Sequence, residues 1–220
     1  MKRKKSAIED LLEIMARLRS PNGCPWDREQ DHMSLRWHAV EEVYELMDAI
    51  ERGDDHELEE ELGDLLLQVV FHCQLGRERG AFDFEKVTRR LADKLVRRHP
   101  HVFGELKVAD VDQVWANWEK IKKAEKHGTR HARPSAMDGI PKRLPALMRV
   151  EKLLKKAKRA GVHRPEPHGR AGKAELGRRM FELAMAAHAR GWSAEELLRA
   201  ESLKRERSFR RAEQLDKKAR

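Results

Sequence analysis

Apolar residues recur at helix spacing along most of the chain, and the breaks between them fall on glycine and proline. Ile8, Leu11, Leu12, Met15 and Leu18 form one stripe, which predicts a helix over residues 6–19 that stops at the turn Pro21-Asn22-Gly23. Cys24-Pro25-Trp26-Asp27-Arg28-Glu29-Gln30 then reads as a loop with Trp26 as a buried peg. Leu35, Ala39, Val43, Leu46/Met47 and Ile50 mark a second helix, and Leu58, Leu62, Leu65/Leu66, Val69 and Cys73 a third. Between them, Arg52-Gly53-Asp54-Asp55 supplies a glycine to end one helix and aspartates to cap the next. So short a connection makes the two helices antiparallel neighbours. A fourth helix is predicted over 84–98, with Phe84, Val87, Leu91 and Leu95 inward, Asp83 as its cap and Pro100 as its stop. A fifth spans 111–127, with Trp115, Trp118 and Ile121 on one side. Residues 128–145, with Gly128, Pro134, Gly139, Pro141 and Pro145, read as a linker or hinge. A basic helix follows at 145–159, then a second break from Gly161 to Gly172 containing Pro165 and Pro167, then helix to the end.

The second and third helices carry two acidic clusters. Glu41, Glu42 and Glu45 lie three or four apart and share one helix face, as do Glu61 and Asp64. An antiparallel pairing brings the two sets together. Five carboxylates in one place repel one another, their proton affinities rise, and a cation relieves the cost. A hard divalent ion suits oxygen ligands, and Mg²⁺ binds a few carboxylates while leaving other positions to water and substrate phosphates. In a chain with 39% charged residues, such clusters also occur as ordinary solvated faces. Position favours the metal: Glu61 and Asp64 abut the most apolar run of the chain, Leu65-Leu66-Leu67-Gln68-Val69-Val70-Phe71.

Helix formers dominate and strand signals are almost absent, so the expected class is all-α. Residues 1–100 hold 17 Lys/Arg and 22 Asp/Glu; residues 101–220 hold 30 and 16. An acidic half and a basic half imply different tasks or two surfaces that meet. Two cysteines, Cys24 and Cys73, make neither a disulfide framework nor a zinc quartet, and reduced thiols point to the cytoplasm. The start of the chain is basic with no apolar signal core after it, and no apolar run is long enough to span a membrane. Lys94, Arg97 and Arg98 close the fourth helix, where positive charge is favourable in itself and where these side chains are also placed to grip phosphate oxygens. His99 and His101 flank Pro100 and lack further partners, which argues against a transition-metal site.

Glu61-Leu62-Gly63-Asp64-Leu65 has an echo in Glu175-Leu176-Gly177-Arg178-Arg179. Arg178 stands where the first copy has Asp64, and no E-E-x-x-E precedes it. The second half is therefore expected to be a degenerate copy without a metal site. The domain reading is residues 1–127 as the domain that carries the acidic site, 128–145 as linker and 146–220 as a degenerate helical repeat.

Several motifs occur together and in order: Cys24-Pro25-Trp26-Asp27, Glu41-Glu42-x-x-Glu45, Glu61-Leu62-Gly63-Asp64, Lys94-x-x-Arg97-Arg98-His99-Pro100-His101-Val102-Phe103-Gly104, Trp118-Glu119-x-x-Lys122 and Asp138-Gly139-Ile140-Pro141-x-x-Leu144-Pro145. The chain thereby resembles the MazG nucleoside triphosphate pyrophosphohydrolases over residues 8–150. The resemblance implies an all-α fold around a four-helix bundle, usually dimeric. It implies Mg²⁺-dependent hydrolysis, with Mn²⁺ as a substitute, of nucleoside triphosphates to monophosphate and pyrophosphate. By the family pattern Glu42, Glu45, Glu61 and Asp64 are metal ligands, and Glu41 is either a ligand or the group orienting water, so that Glu41 and Glu42 carry the catalytic roles. Lys94, Arg97 and Arg98 match the triphosphate motif, and Trp115 or Trp118 borders the nucleotide.

The attack predicted on that basis is by water on the α-phosphorus, a carboxylate taking its proton and pyrophosphate leaving, with a bound metal lowering the pKa of the water. A competing reading makes the chain a regulatory or binding protein whose basic residues 142–159 and 199–220 grip nucleic acid or an acidic partner. Those basic residues are spread around their helices with few aromatics between them, which disfavours nucleic acid. A homodimer is expected, because one copy of these amphipathic helices buries its core poorly.

Overall fold

The computed structural model describes residues 5–129, 132–163 and 171–219. Among these residues there are ten helices and no strand. The chain divides into two compact units, Met1–Val111 and Asp112–Arg220. None of the described helices is long and apolar enough to cross a membrane.

The first unit is built on one long helix. α1 (Ala7–Leu18) begins at a capping box, with Ser6 and Glu9 bonding each other's backbone N–H. α2 (Pro25–Glu29) stands where a loop was expected, because Pro25 at its first position presets the helical φ without losing a hydrogen bond. α3 (His38–Arg52) ends at Gly53, whose φ of 71° is a left-handed conformation that glycine adopts without strain. Asp54 then accepts from the backbone N–H groups of His56 and Glu57 to start α4 (Asp55–Glu78). The predicted glycine stop and aspartate cap are both present. α5 (Phe84–Arg98) has the predicted limits, with Asp83 accepting from the Lys86 N–H at 2.8 Å. Pro100 closes it and opens the single turn α6 (Pro100–Phe103).

α1, α3 and α5 all pack on α4. Met15, Leu35, Val70, Phe71 and Leu75 form the core, flanked by Leu11, Leu12, Leu67 and Phe84. Each such side chain contributes about 1.5–3 kcal/mol when fully buried. Trp26 is not the buried peg expected: it is 52% exposed and touches Phe71 and His38 only edge-on. Arg19 does the pegging. Its nearly buried guanidinium forms a fork on Glu78, both bonds at 2.8 Å, and also donates to the carbonyls of Asp27 and Gln30. The loop before α3 is tied to α4 by His32 and His72, whose Nδ1 atoms lie 2.8 Å apart. Arg79 meets His32 Nε2 at 2.8 Å, so that nitrogen accepts, and His32 must donate from Nδ1 to His72. Leu91 and Leu95, expected on the inner face of α5, are 45% and 46% exposed in the single chain.

In the second unit, α8 (Ala146–Arg159) packs against α10 (Ala194–Ala219), and α9 (Lys173–His188) against α10. α7 (Val111–Ala124) falls almost wholly in this unit. Met137, Leu153 and Ala157 form a small core with Ile140, Val162 and Phe209 around it. The stretch expected as a linker is held to α10 by charge. Glu213 accepts from the Ser135 hydroxyl and the Ala136 N–H, Arg210 pairs with Asp138, and Glu195 accepts from the Ala146 N–H at the start of α8. The buried Arg149 donates to Ser202 and pairs with Glu206. The expected break around Pro165 and Pro167 lies outside the described residues.

Candidate metal centre

The α3–α4 hairpin brings the two acidic clusters to one place. Carboxylate oxygens of Glu42, Glu45 and Glu61 all lie within 4.8 Å of one another. Glu42, Glu61 and Asp64 are half-buried and Glu45 is exposed. Asp64 is near enough to act electrostatically on both Glu42 and Glu61. Among the described residues, none of these four has a basic side chain paired with it. Glu41 lies one position round the helix, with its own oxygen 3.7 Å from His38 Nδ1 and most of its side chain in water.

Crowding leaves a mark on proton affinity. Glu42 is held above the usual carboxylate range by burial first, then by Asp64, with Glu45 and Glu41 adding. Glu61 is raised by loss of solvent, then by Glu45, Asp64, Glu60 and Glu42. One contact works the other way. Gln68, one turn beyond Asp64 on α4, donates from Nε2 to Glu42 Oε1 at 3.2 Å and so favours the ionised form. Gln68 is 7% exposed, and its own Oε1 is buried with no hydrogen-bond partner. Sequence reasoning missed this residue, although a lone amide inside the apolar run 65–71, four positions after Asp64, was the available signal.

The donor set suits a hard divalent cation. It offers oxygen ligands only, leaves several negative charges uncompensated, and carries a buried carbonyl oxygen waiting for a donor such as an ordered water.

Comparison with known proteins places the segment that carries these acids. Residues 30–103 match the MazG nucleotide pyrophosphohydrolase domain. The chain is 48% identical over 155 residues to the nucleoside triphosphate pyrophosphohydrolase of Escherichia coli strain K12, a match that takes in 70% of this chain and 58% of that protein. It is 44% identical over 162 residues to the nucleoside triphosphate pyrophosphohydrolase/pyrophosphatase MazG of Thermotoga maritima, covering 74% of this chain and 61% of that one. An uncharacterised 26.1 kDa protein of Streptomyces cacaoi is 43% identical over 194 residues, covering 87% of this chain and 76% of its own length. The chain belongs to the MazG family. It spans little more than half the length of the E. coli relative, and 28% of an uncharacterised Bacillus subtilis relative to which it is 50% identical.

The matched MazG segment contains all of the clustered acids, Gln68 and the basic residues of α5. Lys94, Arg97 and Arg98 occupy the last two turns of α5, with Lys94 and Arg98 half-buried. α5, which carries them, packs on α4, the helix of Glu61 and Asp64. Trp115 and Trp118 lie beyond the matched segment, on α7 in the second unit. Their rings meet edge to face at 5.6 Å, and the Lys122 ammonium sits 5.3 Å from the Trp118 ring centre. Among the described residues no second group of three metal-ligating side chains occurs. Arg178, in the position that echoes Asp64, pairs with Glu175 and Glu182 of its own helix.

Proposed function

We propose that this chain hydrolyses nucleoside triphosphates, ribo- or deoxyribo-, to the monophosphate and pyrophosphate, with Mg²⁺ or Mn²⁺ held by Glu42, Glu45, Glu61 and Asp64. The observation that supports this reading above all is the convergence of Glu42, Glu45 and Glu61 within 4.8 Å without a basic partner. Held by these carboxylates, a divalent ion would lower the pKa of a bound water and offset charge on the phosphate chain.

The chain's own groups supply the rest. Glu42, held by the Gln68 amide through Oε1 and placed within the acidic trio, is suited to take a proton from the attacking water. Glu41, beside it and open to solvent, serves to orient that water or adds a ligand. Lys94, Arg97 and Arg98 would neutralise the departing pyrophosphate. The roles of Trp115 and Trp118 at the nucleotide rest on the sequence motif alone. The first unit carries the chemistry in this reading, because the echo of the acidic motif on α9 has Arg178 in place of Asp64.

A homodimer completes the proposal. On α3, Val40, Val43, Tyr44, Met47 and Ile50 form one continuous stripe, each between 41% and 56% exposed, and Leu62, Leu66 and Val69 of α4 are open as well. An apolar stripe of that extent on a hairpin is expected to be covered by a second copy. Free thiols at Cys24 and Cys73 fit a reducing, cytoplasmic setting.

The test is pyrophosphate release from a nucleoside triphosphate panel with Mg²⁺. Glu42→Gln and Asp64→Asn are each expected to lower turnover by about 10²-fold or more while helical content by circular dichroism stays unchanged. Full Mg²⁺-dependent activity in either variant would sink the assignment.

A further inference from the structure

The second unit holds a cleft of about 480 Å³ with a large surplus of positive charge. Seven lysine and arginine side chains line it against three carboxylates, and the carboxylates are already engaged. Asp138 is bound by Arg210 and by the Ser135 N–H, Glu213 by Ser135, Ala136 and Lys217, and Glu119 by Lys122. Lys120, Arg133 and Arg159 have no ion-pair or hydrogen-bond partner among the described residues. Lys156, half-buried in the same wall, spends one N–H on the Ala136 carbonyl at 2.9 Å. Its ammonium is held below its ordinary pKa chiefly by burial; Glu119 and Asp138 oppose that shift, and Lys122 and Arg133 add to it. Cations drawn from α7, α8, α10 and the 132–138 segment thus face one space in which seven positive side chains meet three negative ones.

We infer that this cleft binds the phosphate chain of a small polyphosphate. Its volume suits a compact ligand and is too small for a nucleic-acid duplex. Ammonium and guanidinium groups are the usual partners of phosphate oxygens, and an excess of four positive charges matches two or three linked phosphates better than one. No aromatic side chain lines the cleft among the described residues, so there is no platform to stack a base, and the phosphates themselves are what is recognised. The cleft is built wholly from the second unit and uses none of the acids of the first. It gives the basic half of the chain a task separate from hydrolysis.

The experiment is calorimetric titration of the full chain with inorganic tripolyphosphate in EDTA, so that no metal-dependent turnover enters the measurement. Orthophosphate, a non-hydrolysable nucleoside triphosphate and a short single-stranded RNA are run in parallel. Tripolyphosphate is expected to bind saturably and to weaken as salt rises. The nucleotide should bind no more tightly than the inorganic chain, and orthophosphate at least about tenfold more weakly. Lys120→Glu with Arg159→Glu, both at exposed positions, should weaken tripolyphosphate by about tenfold or more with the circular dichroism unchanged. Lys120→Ala with Arg159→Ala should give a smaller loss in the same direction. Absence of saturable binding, indifference to both double variants, or RNA binding more tightly than tripolyphosphate through the same residues would overturn the proposal.

Discussion

Gln68→Met separates a structural from a functional role for the buried amide, because it should move stability and metal affinity in opposite directions. The side chain is 7% exposed, and its Oε1 has no partner. A buried acceptor left unpaired costs about 1–3 kcal/mol, and methionine fills nearly the same volume without a polar atom. The substitution also removes the 3.2 Å bond to Glu42, but Glu42 is only half-buried and water can replace that donor. The apo protein is therefore expected to gain about 1 kcal/mol, a rise in Tm of about 2–4 °C for a chain of this size. Metal binding should suffer. With Nε2 gone, Glu42 loses the contact that fixes one oxygen and keeps it ionised, and loss of such an outer partner typically lowers metal affinity by about 10–100-fold. Melting in EDTA gives the first quantity, and Mn²⁺ titration followed by electron paramagnetic resonance gives the second. Unchanged Mn²⁺ affinity, or a lower apo Tm, would refute the role assigned to this amide; failure of the wild type to bind Mn²⁺ would instead refute the metal centre itself.

Two further expectations concern the same hairpin. Glu42 and Glu61 have raised proton affinity in the folded chain, so their protonated forms favour folding. Their contribution is fully present below the ordinary carboxylate pKa of about 4.5 and is lost as pH rises through their raised values. Melting in EDTA should show Tm falling as pH rises above the ordinary carboxylate range, and saturating Mg²⁺ should abolish that fall; parallel pH profiles with and without metal would contradict the reading. Gly53→Ala meets no neighbour within 4 Å, so its only cost is the left-handed φ of 71°. Destabilisation of about 1 kcal/mol by urea unfolding is expected, with metal affinity within about threefold of wild type if the hairpin keeps its register.

Much of the first unit was readable from the chain. The limits of α5, the caps at Asp54 and Asp83 and the glycine stop at Gly53 all appeared as predicted, because caps and turns depend on residues within four positions of one another. Proline misled once. Pro25 suits a loop and a first helical position alike, and it serves as the first residue of α2, a difference set by the residues C-terminal to it rather than by proline itself. Residue type points Trp26 to the interior, yet the indole meets the core only at the edge of Phe71 and stays at the surface.

Side-chain spacing alone was enough to put Glu41, Glu42 and Glu45 on one face and Glu61 and Asp64 on another, since helix periodicity is a local property. Which of those oxygens meet depends on how α3 and α4 are rotated against each other, and that rotation is set by packing across the hairpin. Only the folded chain selects Glu42, Glu45 and Glu61 as the trio within 4.8 Å, buries Gln68 beneath them, and gathers basic side chains from separate stretches of the second unit around one cleft. Contacts between residues far apart in sequence carry no periodic signature, so they become visible only once the helices have packed.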